Sequence, residues 1–338
     1  MNGMSHEPHK PLVDRFGRVH TSLRVSVTDR CNIRCFYCMP LENVQFKPRA
    51  ELLTFEEIAR VVEVAARRGV RKLRLTGGEP LVRSHLPELI EMLTRISGIE
   101  EVALTTNGIL LTDQAEALKA AGLTRINVSM DALSEEMFQQ ITRRSGVDRV
   151  LSGISAAQKA GFSAIRLNAV AIRNLTEGEV VPLARFARDN DLHLRFIEFM
   201  PLDADKAWNT EQVLSGSDLR EMISREVAPL EAITPEDVSQ PATDFAYADG
   251  RQRVGFINSV TQPFCAACNR LRMTAEGQFR NCLFATDEWD ARAILRGGGS
   301  DADLSRLLDA CVEAKRASHG MDSPEFVPPA RAMYQIGG

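Results

Sequence analysis

No stretch of this chain is apolar for long enough to cross a membrane; no run approaches the ~18 consecutive apolar residues that a span requires. The first ten residues, Met1 to Lys10, are polar and His- and Pro-bearing, without the apolar segment of a secretory leader. Excess positive charge is missing too: 41 Lys and Arg stand against 45 Asp and Glu, for a formal net charge of −4. Such a balance offers nucleic acid no global basic field. Internal sequence repeats are absent, which excludes a solenoid. Disorder is excluded by 44% hydrophobic and 25% charged residues over 338 positions. Length leaves room for one large domain or about two ordinary ones. The expected setting is cytoplasmic and reducing, where the seven cysteines serve metals rather than disulfides.

Six of those cysteines fall in two tight groups. Cys31, Cys35 and Cys38 are spaced C-x3-C-x2-C after the β-branched run Leu23–Val27. Three thiolates can converge there on one small object and leave its fourth corner without a protein ligand, as a reactive metal site requires. The spacing reads as a cubane iron–sulfur cluster with one iron kept open, and Phe36 and Tyr37 supply apolar shielding. Cys265, Cys268 and Cys282 form a second set, again one ligand short. Zinc is the alternative for both sets, with His20 or His85 completing the first and Cys311 the second. Otherwise Cys311 reads as a small buried hydrophobe.

Between and around these groups the chain alternates. Strands are expected at Leu23–Val27, Lys72–Thr76, Val102–Thr106, Arg125–Met130, Ala164–Ile172 and Leu194–Met200. Helices are expected from Thr54 (a capping box with Glu57) to near Gly69, and over Leu86–Ile96, Thr112–Ala121, Val150–Ala160 and Thr176–Asn190. Six βα units are too few for a closed eightfold barrel, so the pattern predicts an α/β fold, a partial (βα)6 TIM-like barrel, with a doubly wound sheet as competitor. Polar and glycine residues gather at the strands' C-terminal ends: the cysteines, Gly77-Gly78-Glu79-Pro80, Thr105–Gly108, Ser129 and Asp131, Glu198 and Met200. That edge hosts the active site in either fold. Gly78 would admit a ligand's close approach, and Glu79 would meet a ligand ammonium. Beyond Met200 come a helix over Ser217–Glu226, a loop and hairpin over Ala242–Gly255, a Gly297–Asp301 linker and a last helix, Leu304–Lys315. Arg270 and Arg272 share one face of a strand and suit phosphate oxygens, a solvated basic edge strand being the plainer reading.

The first cysteine spacing, with Tyr37 before the last cysteine and Gly77-Gly-Glu-Pro80 downstream, resembles the radical S-adenosylmethionine superfamily. Leu23–Asn32, Arg74–Pro80, Thr105–Gly108, Ile126–Ser129, Phe264–Arg272 and the terminal Gly337-Gly338 resemble the GTP 3′,8-cyclase family, over about residues 14 to 338. That resemblance implies a flexible tail at 1–13, a radical core at 14–235 and a C-terminal region at 236–338 carrying a second cluster and ending in Gly-Gly. It implies two [4Fe–4S] clusters, on Cys31, Cys35 and Cys38 and on Cys265, Cys268 and Cys282. S-adenosylmethionine would contact Tyr37, Gly78, Ser129 and Met200. GTP would contact Arg24, Arg74, Thr105, Arg166, Arg270, Leu271 and Arg272, with Glu79, Arg195, Gly337 and Gly338 as further contacts. Arg166 stands where the family usually carries lysine, and guanidinium does not reproduce ammonium geometry.

The implied activity is the first step of molybdenum cofactor biosynthesis. A 5′-deoxyadenosyl radical takes the ribose 3′ hydrogen of GTP, and the carbon radical closes on C8 to give (8S)-3′,8-cyclo-7,8-dihydroguanosine 5′-triphosphate. No protein side chain is implied as acid or base. Implied partners are a flavodoxin or ferredoxin as electron donor and the cyclic pyranopterin monophosphate synthase, with the chain a monomer or homodimer. The alternatives are a radical peptide-modifying enzyme with an auxiliary cluster, or a non-catalytic iron or zinc sensor module.

Overall fold

Strand alternation decides what faces the centre of this molecule. In the computed structural model, which describes residues 10–202, 208–235, 237–321, 323 and 325–337, β1 (Ser22–Ser26) buries Leu23 and Val25 in the apolar core and turns Ser22 and Arg24 inward. The division recurs in β2 (Lys72–Thr76), β3 (Glu101–Thr106), β4 (Arg125–Ser129), β5 (Ile165–Ala171) and β6 (His193–Glu198). There Leu73, Leu104, Ile126, Leu167 and Leu194 pack outward while Arg74, Thr105, Asn127, Arg166 and Arg195 line a central cavity. Each fully buried aliphatic side chain contributes roughly 1.5–3 kcal/mol.

β1 to β6 pair in parallel in chain order, as the βα spacing predicts. The connections carry α1 (Phe55–Arg67), α2 (Leu86–Thr94), α3 (Ala115–Ala120), α4 (Glu135–Thr142), α5 (Val147–Lys159) and α6 (Val180–Asp189). Thr54 caps α1 in the expected box: its Oγ1 accepts from the Glu57 amide at 3.2 Å and Glu57 accepts from the Thr54 amide at 2.8 Å. α4 was not legible as periodicity, because its single buried turn (Phe138, Ile141) is too short to establish a period.

The six-stranded expectation is extended at both edges. After α7 (Gly216–Glu226), β7 (Leu230–Ala232), β8 (Thr243–Tyr247) and β9 (Arg253–Ile257) form an antiparallel meander, and β9 joins β6 in parallel. At the other edge β10 (Arg270–Met273) joins β1 in parallel, followed by antiparallel β11 (Gln278–Arg280) and β12 (Trp289–Asp290). One twelve-stranded sheet results among the described residues. Core and C-terminal region therefore share a sheet, and the expected boundary at 235/236 falls between β7 and β8, which are hydrogen-bonded partners. β10 is an interior strand, so the solvated-edge reading of Arg270 and Arg272 is overturned.

The chain closes with α8 (Ala291–Arg296), α9 (Asp301–Glu313) and α10 (Met333–Ile336). The expected Gly297–Asp301 linker is a packed turn: Arg60 donates to the Gly299 carbonyl at 2.7 Å and pairs with Asp301 at 2.9 Å, docking α9 on α1. Of the expected tail, residues 1–9 lie outside the described residues, and Leu12 is fully buried with its amide on the Arg68 carbonyl at 3.1 Å.

Candidate active site

A cavity of about 780 Å³ opens at the strands' C-terminal ends and runs down their inner wall, within the usual range for small-molecule sites. Both cysteine triads line it, each cysteine free and partly buried. Tyr37, Gly78, Glu79, Ser129, Met200, Arg24, Arg74, Thr105, Arg166, Arg195, Arg270 and Arg272 line it as well. Leu271 does not: alternation along β10 turns it into the apolar core, which corrects the expected contact.

The first triad sits in the loop after β1, and the Gly-Gly-Glu segment after β2 holds that loop. The amides of Gly78 and Glu79 donate to the carbonyls of Thr28 and Arg30, both at 2.8 Å. A Cβ on Gly78 would stand 2.4 Å from the Arg30 carbonyl oxygen, so glycine here serves the close approach of the cysteine loop itself. Gly78→Ala is expected to displace that loop, lowering stability by about 1–3 kcal/mol and iron at the first triad. Thermal unfolding with iron analysis checks this, and unchanged iron would sink it.

Glu79 corrects a second expectation. Its carboxylate accepts from the Leu81 amide (3.0 Å), the Thr106 hydroxyl (2.8 Å) and the Asn107 amide (2.7 Å), clasping β2 to β3. Burial pushes it up to about 7 against those bonds. Glu198 likewise serves the scaffold, accepting the amides of Val260 and Thr261 at 2.8 and 2.9 Å. Tyr37 donates its hydroxyl to Asp131, whose other oxygen takes the Val170 amide at 2.8 Å, and burial holds Asp131 up at about 6. Asn107, expected only as part of the Thr105–Gly108 strand end, sits with its side-chain amide nitrogen 3.9 Å from the Cys31 sulfur.

Burial raises Cys31 to about 11, and burial with the neighbouring Asp131, Cys38 and Cys31 raises Cys35. The second triad stands in a different field. Burial opposes the Cys268 thiolate, but Arg270 and then Lys315 outweigh it and bring the thiol down to about 6. Arg270 and Lys315 each place a nitrogen 3.4 Å from that sulfur. A thiol that ionises at neutral pH is a ready metal ligand.

Candidate fourth ligands fall away. His20 is fully buried behind β1, His85 is exposed and paired with Glu88 at 2.8 Å, and Cys311 is buried in α9; none of the three lines the cavity. Among the described residues no three His, Cys, Asp or Glu side chains converge closely enough for a single ion. Thiols wrapped around a cubane stand further apart than thiols on one zinc, so both triads fit clusters with an open corner.

The inner wall is cationic. Arg272, Arg24 and Arg74 are register partners across β10, β1 and β2, and Arg125 continues the row beyond Ala103. Neighbouring strands lie about 4.8 Å apart, which packs these guanidiniums side by side. Burial first, and mutual repulsion second, push Arg24 and Arg74 well below the usual guanidinium range and Arg166 to about 9. Arginine keeps its proton through such shifts, so the row stays charged. Arg24, Arg74 and Arg166 have no hydrogen bond or ion pair among the described residues, whereas Arg125 pairs with Glu101 and Arg195 with Asp244 at 3.1 Å. Lys72, Arg125 and Arg253 also line the wall, unpicked in the sequence because a charge alternating with leucine resembles a solvent-facing residue. Gly337 reaches the same wall: its carbonyl accepts from Arg272, and Arg331 on Glu276 and Glu288 anchors the segment behind it. Gly338 lies outside the described residues.

The Radical SAM superfamily profile matches residues 25–187, and the Molybdenum Cofactor Synthesis C profile matches 192–321. A GTP 3′,8-cyclase of Rhodopirellula baltica is 53% identical over 97% of this chain and 92% of its own. Those of Streptomyces coelicolor and Moorella thermoacetica are each 43% identical, over 99% and 97% of this chain and 98% and 100% of theirs. Streptococcus suis SuiB bound to S-adenosylmethionine shares the fold, with TM-score 0.61 at 15% identity over 90% of this chain and 68% of its own. On these matches the chain belongs to the radical S-adenosylmethionine superfamily and, within it, to the GTP 3′,8-cyclase family.

Proposed function

We propose that this chain cyclises GTP to (8S)-3′,8-cyclo-7,8-dihydroguanosine 5′-triphosphate in an S-adenosylmethionine-dependent reaction, the first step of molybdenum cofactor biosynthesis. One observation carries the reading: two three-cysteine sites face a single cavity with Arg24, Arg74 and Arg166, which have no hydrogen bond or ion pair among the described residues. Cys31, Cys35 and Cys38 would hold the first [4Fe–4S] cluster, and Cys265, Cys268 and Cys282 the second. When bound, the clusters and S-adenosylmethionine supply the radical chemistry.

The chain's own residues do the rest. Tyr37, Gly78, Ser129 and Met200 position the cofactor at the first triad. Arg24, Arg74, Arg166 and Arg272 neutralise a triphosphate, Thr105 and Arg270 flank it, and the Gly337 tail closes on Arg272. A deep wall of this kind fixes the ribose and excludes water from reactive carbon. Arg195 and Glu79, engaged by Asp244 and by protein amides, act as supports.

The proposed cellular context is cytoplasmic, with a flavodoxin or ferredoxin as reductant and the cyclic pyranopterin monophosphate synthase as consumer of the product. We place the chain as a monomer or homodimer, with cluster-and-substrate duties divided between the radical core and the C-terminal region. No helix among the described residues is long and apolar enough to cross a membrane.

Anaerobic reconstitution with iron and sulfide, then dithionite, S-adenosylmethionine and GTP, is the test. Loss of GTP matched one for one by 5′-deoxyadenosine is expected. Without any 5′-deoxyadenosine the radical reading ends, and its formation with GTP intact points to another substrate, such as a peptide.

A further inference from the structure

Lys315 belongs to no motif in the sequence, yet it is only 3% exposed and touches the second cysteine set. It follows the last turn of α9, and its ammonium donates to the Arg270 carbonyl at 2.8 Å and to the Cys268 sulfur at 3.4 Å. Arg18 fixes this corner: its guanidinium bonds the carbonyls of Cys265 (2.8 Å), Arg316 (2.7 Å) and Ala317 (3.0 Å). The cysteine loop and the end of α9 are thereby locked together with Lys315 between them.

The two triads differ in what surrounds their sulfurs. Cys268 receives two cationic donors, Arg270 and Lys315. Around the first triad the sulfurs meet neutral partners, Asn107 and Asn32 at Cys31 and Tyr37 at Cys35, and the negative charge of Glu79 and Asp131 opposes the Cys31 and Cys35 thiolates. The cation near that triad, Arg34, is engaged on the carbonyls of Cys31 and Ile33 at 2.7 and 2.8 Å. Cluster potential follows local charge and hydrogen bonds to sulfur: cationic donors stabilise the reduced, more negative state, and nearby carboxylates oppose it.

We propose that Lys315 is a positioning residue for the second cluster, holding the charge on the Cys268 sulfur and setting that cluster's reduction potential above the first. The proposal rests on assigning the second cluster to Cys265, Cys268 and Cys282. A cluster so biased accepts an electron more readily than the first and is a poorer donor, which keeps reductive cleavage of S-adenosylmethionine at the first site.

The test is a redox titration followed by electron paramagnetic resonance on full-length chain carrying Cys31→Ala, Cys35→Ala and Cys38→Ala, so that the second cluster is seen alone. Adding Lys315→Met is expected to lower the reduced-to-oxidised ratio at fixed potential at least tenfold, which for a one-electron couple is about 59 mV. Lys315→Arg should restore most of the shift, and Lys315→Gln, a donor without charge, should fall between. An unchanged midpoint in Lys315→Met at full iron content overturns the proposal. Should the methionine variant fail to keep iron, the arginine and glutamine variants decide, and equal midpoints in those two overturn it. If the parent with Lys315 intact binds no cluster, the cluster assignment itself is what fails.

Discussion

Cys282→Ala is expected to remove about half of the bound iron and abolish GTP cyclisation, while 5′-deoxyadenosine formation persists at the first triad. The reason is the shape of the second site. Cys265 and Cys268 sit on one turn, their loop tied by the Cys268 amide on the Cys265 carbonyl at 3.1 Å, whereas Cys282 arrives from beyond β11. Two thiolates on a single turn grip one side of a cubane, and the third, from another element, closes the grip. Cys311 cannot substitute, since it is buried within α9 with its carbonyl accepting from the Asn281 side-chain amide at 2.9 Å. Iron per chain and the resonance spectrum of the reduced protein check the first half, and product analysis checks the second. Iron equal to the parent's would remove Cys282 from the site.

How far the sequence reached follows from the range of each interaction. The first triad, the α1 capping box and the parallel order β1 to β6 rest on neighbours a few residues to a few tens of residues apart, and each was legible. The parallel joining of β10 to β1 was not, because Arg270 pairs with Ser22 from the other end of the chain and no local pattern records it. Lys315 was missed, and Asn107 was read only as part of the Thr105–Gly108 strand end, for the same reason: a lone lysine after a helix and an asparagine after a strand acquire their particular meaning only from the sulfur that the fold sets beside them. Leu271 was misread because a motif was carried over as a segment, whereas a strand presents only alternate residues to a ligand. Glu79 and Gly78 were placed correctly at the cavity, but their bonds and close approach to the chain's own loops come from residues distant in sequence and were not legible.

The arginine row makes the sharpest demand on the fold, and its removal is expected to have opposite effects on stability and on binding. Arg24 and Arg74 lie side by side on adjacent strands with no carboxylate bonded to either among the described residues, and the distant Glu101 offsets only part of the desolvation and repulsion that the ligand-free protein bears. Replacing Arg74 by methionine, which keeps the alkyl volume, should therefore stabilise the ligand-free chain by about 1 kcal/mol or more. The same change forfeits charge-assisted bonds to a triphosphate worth about 1.5–3 kcal/mol, and so raises the Kd for GTP roughly 10- to 150-fold. Arg24→Met should behave alike. Their effects should not add, because the Arg24 charge is among those that disfavour Arg74, and removing it relieves part of that repulsion. Thermal unfolding with and without GTP reads both terms at once: the ligand-free midpoint rises while the GTP-induced increment shrinks. A midpoint that falls with the increment unchanged would mean that the row serves packing and not phosphate. Cations arranged at such a cost to the empty protein favour an anion beside them, and the register of β10, β1 and β2 sets three of them side by side on the cavity wall to meet one.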